Sequence, residues 1–335
     1  MNKLYLTLGD TKYNPITTTE LLERIDRQAA ECQKIKFEQE SKLVTHDDRL
    51  IIERLIELAT QPNLQLSYDA WAWQTRPLKM LLNQMPNIKL LKLFDCITYT
   101  AQEAERCYKL HRGLCRAINS SSIEKLVDQN GFLHHEDIAY LLESNRRIQE
   151  LKLSTIDDIS KLASSLIQNR TLKRLKLCFR IDDPNNHLDL FIKAINQSQI
   201  RHLKLVINIS SRVTLNDLIL TIESLIPCLS INKLILNFHN WRFAENIALL
   251  FSSFIVDQLN LNRCLKSFHV CLDKIYISKV LETQIQEILV RNRTGWLPNN
   301  HHVYASDWQK SIEQMFMFLQ RTLPNELCFI ILSLV

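Results

Sequence analysis

The chain has 335 residues, 46% of them apolar, and a formal net charge of +5. That length supports one large domain or two ordinary ones with a substantial core, and the mild charge excludes the concentrated basic tract of a dedicated nucleic-acid binder. Nine cysteines, an odd number with no C-x-x-C pair, fit reduced thiols rather than a disulfide framework; no apolar run reaches about 18 residues, and the opening MNKLYLTLGD does not read as a signal peptide.

Taken in chain order, short strands of L-x-L type recur after polar breaks. Their anchors are Leu4/Leu6, Ile35/Phe37, Leu64/Leu66, Leu91/Leu93, Leu126/Asp128, Leu151/Leu153, Leu175/Leu177, Leu203/Leu205, Leu234/Leu236 and Phe268/Val270. The step ranges from 24 residues (Leu151 to Leu175) to 35 (Leu91 to Leu126). Between the anchors lie stretches with apolar residues at three and four, such as 17–30, 47–60, 134–144, 157–168 and 213–226, several opening on Ser, Thr or Asp. Each unit therefore reads as strand, loop and helix. A unit of that size cannot bury its own apolar face, so the units must stack, with parallel strands on one side and helices on the other.

An Asn-Arg pair closes three of the helices, at NRRI (145–148), NRTL (169–172) and NRCL (262–265). Asn tolerates left-handed backbone geometry, and the spacing predicts that Asn145, Asn169 and Asn262 end their helices in this way. A fourth copy at 292 runs into Gly295 and Pro298, which places the end of the repeats near residue 290 and leaves 291–335 as a helical cap.

The units NIKLLKLFDC (87–96), IQELKLSTI (148–156), LKRLKLCFR (172–180), IRHLKLVIN (200–208) and INKLILNFH (231–239) resemble leucine-rich repeats of the strand-plus-helix, ribonuclease-inhibitor-like subtype. The resemblance implies an α/β solenoid over 1–290, a right-handed horseshoe with a parallel concave sheet and a helical convex face. The last run, LPNELCFIILSLV, resembles the opening of an F-box at Leu323, Pro324, Glu326, Leu327, Ile330, Ile331, Leu332 and Leu334. That resemblance implies docking to a cullin-RING ubiquitin-ligase adaptor, with the repeats as substrate receptor, as the alternative to the plainer reading of 309–335 as an apolar cap over the last repeat. Irregular repeats, reduced cysteines and an F-box-like tail together resemble leucine-rich-repeat effectors that intracellular bacteria deliver into host cells, which implies a virulence role in a host cytosol.

Enzymatic motifs are absent from the sequence. There is no phosphate-cradling glycine loop, H-E-x-x-H or nucleophile elbow, and four glycines leave little material for one. Cys107, His111 and Cys115 share a helix face but span too much of it to close around one ion, so a packed face is expected. The His134-His135-Glu136-Asp137 cluster reads as acids in a first helical turn. Neither cofactor nor metal is expected, and Cys328 lies in a segment too short for a ligase domain.

The informative surface is the concave one. Alternate strand residues point away from the helices, so the residues between anchors line it: Tyr5, Lys36, Gln65, Lys92, Val127, Lys152, Lys176, Lys204, Ile235 and His269. The residues just before the first anchors form a second column: Lys3, Lys34, Asn63, Leu90, Lys125, Glu150, Arg174, His202, Lys233 and Ser267. Lys and Arg dominate both columns, with Glu150 the single acid. Lys36, Lys92, Lys125, Lys152, Arg174, Lys176, Lys204 and Lys233 are the candidate partner-binding residues. The expectation is a non-enzymatic scaffold for an acidic protein, since aromatics that would stack nucleic-acid bases are nearly missing from the columns.

Overall fold

The structure, a computed structural model, describes residues 3–8, 18–39, 46–70, 75–94, 101–129, 131–156, 160–181, 188–209, 213–240, 245–272 and 279–294. Among these residues the chain alternates strand and helix throughout. The strands are β1 (Lys3–Leu8), β2 (Lys34–Gln39), β3 (Leu64–Ala70), β4 (Ile88–Phe94), β5 (Lys125–Gln129), β6 (Glu150–Ile156), β7 (Arg174–Ile181), β8 (His202–Ile209), β9 (Lys233–His239) and β10 (Ser267–Leu272). A helix follows each: α1 (Thr18–Gln28), α2 (His46–Leu58), α3 (Arg76–Gln84), α4 (Ala101–Ser120), α5 (His135–Ser144), α6 (Ser160–Gln168), α7 (Leu188–Gln197), α8 (Leu215–Leu225), α9 (Glu245–Leu261) and α10 (Lys279–Thr294).

The strands lie side by side in chain order as one parallel sheet. Each helix carries the chain back to the start of the next strand, which is what parallel pairing of consecutive strands demands. Successive helices pack on one another, α5 on α6 and α6 on α7 most extensively. This is a leucine-rich-repeat-like α/β solenoid. The chain divides into two units, Met1–Leu289 and Val290–Val335, and the second is described only as far as Thr294. The F-box-like residues Leu323, Pro324, Glu326, Leu327, Ile330, Ile331, Leu332 and Leu334 lie outside the described residues.

The core is a single layer between sheet and helices. Leu175, Leu177, Leu203, Leu205, Leu234 and Leu236 are all buried, facing Leu162 and Leu166 of α6, Phe191 and Ile195 of α7, and Leu218 and Ile222 of α8. Each buried leucine contributes about 2 kcal/mol of apolar transfer, so the repeated anchors are the main source of cohesion between units. Local signals assist: Thr214 caps α8 by accepting from Asp217 N at 3.2 Å, and Asp217 Oδ2 accepts from Thr214 N at 2.8 Å. Asp128, standing in β5 where other units have an apolar anchor, is buried and turns its carboxylate to Phe132 N (2.9 Å) and Leu133 N (3.2 Å). It thereby closes the short loop into α5.

Two expectations are corrected. Asn145 is extended (φ −82°, ψ 133°), and the non-glycine residues with left-handed φ among the described ones are Asn63 and Asn240. The helix-closing asparagines work through their side chains. The Oδ1 atoms of Asn145, Asn169 and Asn262 accept from the backbone N–H groups two and three residues on, at 2.7–2.9 Å. Their Nδ2 atoms donate into the preceding repeat: Asn145 to Asn119 Oδ1, Asn169 to Leu142 O, and Asn262 to Ile226 O and Leu229 O. In two other repeats a serine stands at this position: Ser121 and Ser198 each accept from the N–H two residues on, and donate to a carbonyl three residues earlier in their own helix rather than to the preceding repeat. The shorter side chain goes with a loop one residue shorter.

The second correction is the register of β3. Ile35 pairs with Leu66, and Phe37 with Tyr68, so the inward anchors of this strand are Leu66 and Tyr68. An irregularity between Leu64 and Gln65 absorbs the offset against β4. Ser67 therefore takes the place assigned to Gln65, and Gln65 takes that of Asn63.

Candidate functional site on the open face of the sheet

Because side chains alternate along a strand, the face opposite the helices can be read directly from the register. Its middle column runs Tyr5, Lys36, Ser67, Lys92, Val127, Lys152, Lys176, Lys204, Ile235, His269 across β1 to β10. Beside it run Lys3, Lys34, Gln65, Leu90, Lys125, Glu150, Arg174, His202, Lys233 and Ser267. All eight expected cations share this face. Lys152, Lys176 and Lys204 occupy directly opposed positions on three adjacent strands, about 4.8 Å apart.

Lys36, Lys92, Lys152, Lys176 and Lys204 are half-buried, as expected for a side chain with an apolar stem and a charged head. Val127, flanked in register by Lys92 and Lys152, is only 4% exposed although it sits on the open face. The electrostatic consequence is mutual repulsion. Lys176 is held below its ordinary pKa first by burial and then by Lys152 and Lys204. Lys92 is lowered by burial and by Lys34, Lys152 and Lys125. His202 is lowered by burial, by Arg174 and by Lys233, its register partners on either side.

The flanking column is partly neutralised. Glu150 forms an ion pair with Lys125 and approaches Arg174 at 3.7 Å. At the entrance to the same strands, Lys89 of β4 pairs at 2.8 Å with Glu124, the residue before β5. The expected site thus divides: Lys125 and Arg174 have an internal acid, whereas Lys152, Lys176 and Lys204 face one another. A third column, which the two-column reading left out, sharpens the division. In Cα register this column holds Glu38 and Asp69 in β2 and β3, and Cys178, Val206, Asn237 and Cys271 in β7 to β10. Among the described residues, the open-face positions of β7 to β10 carry no acid. Extending the alternation to the residue just past each anchor pair would have found this in the sequence.

The second candidate cluster is buried. His111 Nδ1 lies 3.1 Å from Asp137 Oδ2, and both residues are at most 4% exposed. Cys115, completely buried, points its thiol at the Asp137 carbonyl at 3.9 Å. Burial and the neighbouring Asp137 push that thiol far above its ordinary range, so it remains protonated and is no nucleophile. Asp137 comes from the first turn of α5, but it joins α4 to α5 instead of facing solvent. The Cys107 side chain lies outside the described residues. Among the described residues no three His, Cys, Asp or Glu side chains are grouped to hold a metal ion, and no helix is long and apolar enough to cross a membrane.

No family model matches the chain, and no curated protein matches it either. The open face must therefore be read on its own chemistry.

Proposed function

We propose that the chain is a non-enzymatic interaction scaffold that holds an acidic protein segment against the open face of its sheet. One observation carries this reading: Lys152, Lys176 and Lys204 stand opposite one another on adjacent strands with no acid among them. Like charges directly opposed in a sheet cost about 0.2–1 kcal/mol per pair. Solubility alone would be served at lower cost by mixing signs, as the chain as a whole does with 41 basic and 36 acidic residues. An anionic partner removes the repulsion and adds charge-assisted hydrogen bonds, so the energy stored in the unbound face is returned on docking.

The geometry favours a protein segment over nucleic acid. The described part of the face presents no platform of aromatic rings on which successive bases could stack. The leucine-rich-repeat resemblance points the same way, since stacked repeats create extended sheet surfaces for partners.

The test uses a fluorescein-labelled oligo-aspartate peptide and a single-stranded oligonucleotide of matched charge, titrated by anisotropy at low and moderate salt. The wild-type chain is expected to bind the peptide, more weakly as salt rises, and to lose it in the Lys152→Glu/Lys176→Glu/Lys204→Glu variant. Equal binding by the wild type and that variant would falsify the proposal, and a preference for the oligonucleotide would move the reading to nucleic acid.

A further inference from the structure

We infer that docking of an acidic segment over β7 to β9 is coupled to protonation of His202, so that this end of the open face grips its partner more tightly as pH falls. The inference rests on the basic-face reading and adds to it a position and a pH dependence.

His202 begins β8 and lies on the open face, half-buried. Its register partners are Arg174 on β7 and Lys233 on β9. The neighbouring open-face positions on the same strands are Lys176, Lys204 and Ile235, so every charged group facing the imidazole from its own strand and from both adjacent ones is a cation. The nearest acid on the face, Glu150, is two strands away; it is engaged with Lys125 and stands 3.7 Å from Arg174, on the far side of Arg174 from His202 in strand order. In the unbound chain this environment disfavours the imidazolium. A carboxylate seated between Arg174 and Lys233 inverts it, because opposite charge within about 4–6 Å favours the protonated ring. The complex then binds a proton that the free chain does not, and by linkage its affinity rises as pH drops through the titration of His202.

Two other histidines on this face provide the internal comparison. His239 faces Asn208 and His269 faces Ile235 across the sheet, so neither is clamped between two cations. The coupling belongs to His202.

The experiment is the oligo-aspartate titration at pH 8.0 and pH 5.5, a window in which aspartate and lysine keep their charges. Wild-type affinity is expected to be about fivefold higher at pH 5.5, the size of a pKa change somewhat under one unit. His202→Gln should bind with a flat profile at the weaker level, and His202→Arg with a flat profile at the stronger one. His239→Gln and His269→Gln should retain the wild-type slope. A flat wild-type profile, or a slope that survives in His202→Gln, overturns the coupling while leaving the basic face standing. Absence of peptide binding at both pH values overturns the basic-face reading and the coupling together.

Discussion

The asparagines that enter the strands and the lysines that line the open face are both residues repeated in step with the solenoid, and the structure treats them in opposite ways. Asn145, Asn169 and Asn262 are at most 3% exposed, and each bonds both its own loop and the preceding repeat. Lys152, Lys176 and Lys204 stay half in water and repel one another. A repeated polar residue whose atoms are consumed internally serves folding. One whose charge is left unanswered is available to a partner.

The comparison can be broken first on the asparagine side, where the largest effect is expected. Asn262→Ala removes two bonds to Ile226 O and Leu229 O and leaves the Cys264 and Leu265 N–H groups without their acceptor. Leaving several buried backbone groups unpaired should cost about 3 kcal/mol, read as a lower urea midpoint with unchanged slope. A loss below about 1 kcal/mol would mean that water replaces the amide and that the ladder is dispensable.

That ladder also marks how far the sequence could be read. The anchors Leu175/Leu177, Leu203/Leu205 and Leu234/Leu236 were legible because period-two leucines between amphipathic helices admit one burial pattern. The Asn-Arg breaks were legible as helix ends, but the mechanism was not. A left-handed residue and a side-chain cap leave the same trace in one sequence, and the acceptors of Asn169 and Asn262 lie 27 to 36 residues upstream. In β3, Leu64, Leu66 and Tyr68 present three alternating apolar residues, so two registers fit the pattern and only pairing with Ile35 and Phe37 chooses between them. The basic columns were visible from spacing. The ion pair of Lys125 with Glu150 and the cationic flanks of His202 needed the register of neighbouring strands.

On the lysine side the expected change has the opposite sign. Lys176→Met keeps an apolar stem on the sheet while removing a charge that faces Lys152 and Lys204. The variant should gain about 0.5 kcal/mol in urea unfolding and lose affinity for oligo-aspartate. Stabilisation together with weaker binding is the signature of a face that gives up folding energy for recognition. A destabilised variant would show instead that the lysine head is held by interactions that favour the fold.

The smallest effect distinguishes this face from general screening of charge. His202 has a folded-state pKa below its ordinary value, from burial and from Arg174 and Lys233. The unfolded chain therefore takes up its proton first as pH falls. The contribution of the neutral ring is complete above about pH 6.5 and is lost as pH drops through the lower folded value. Comparing urea midpoints at pH 7.5 and 5.0, the wild-type chain should lose slightly more stability than His202→Gln. Over the same window the affinity for an acidic peptide should rise, because the ligand relieves the repulsion that penalises the protonated ring. Stability falling while affinity grows, both through one imidazole, requires cations on both flanks and an anion arriving between them. Equal loss in the two proteins would show that Arg174 and Lys233 do not press on His202, and the proton-coupled grip would have no source.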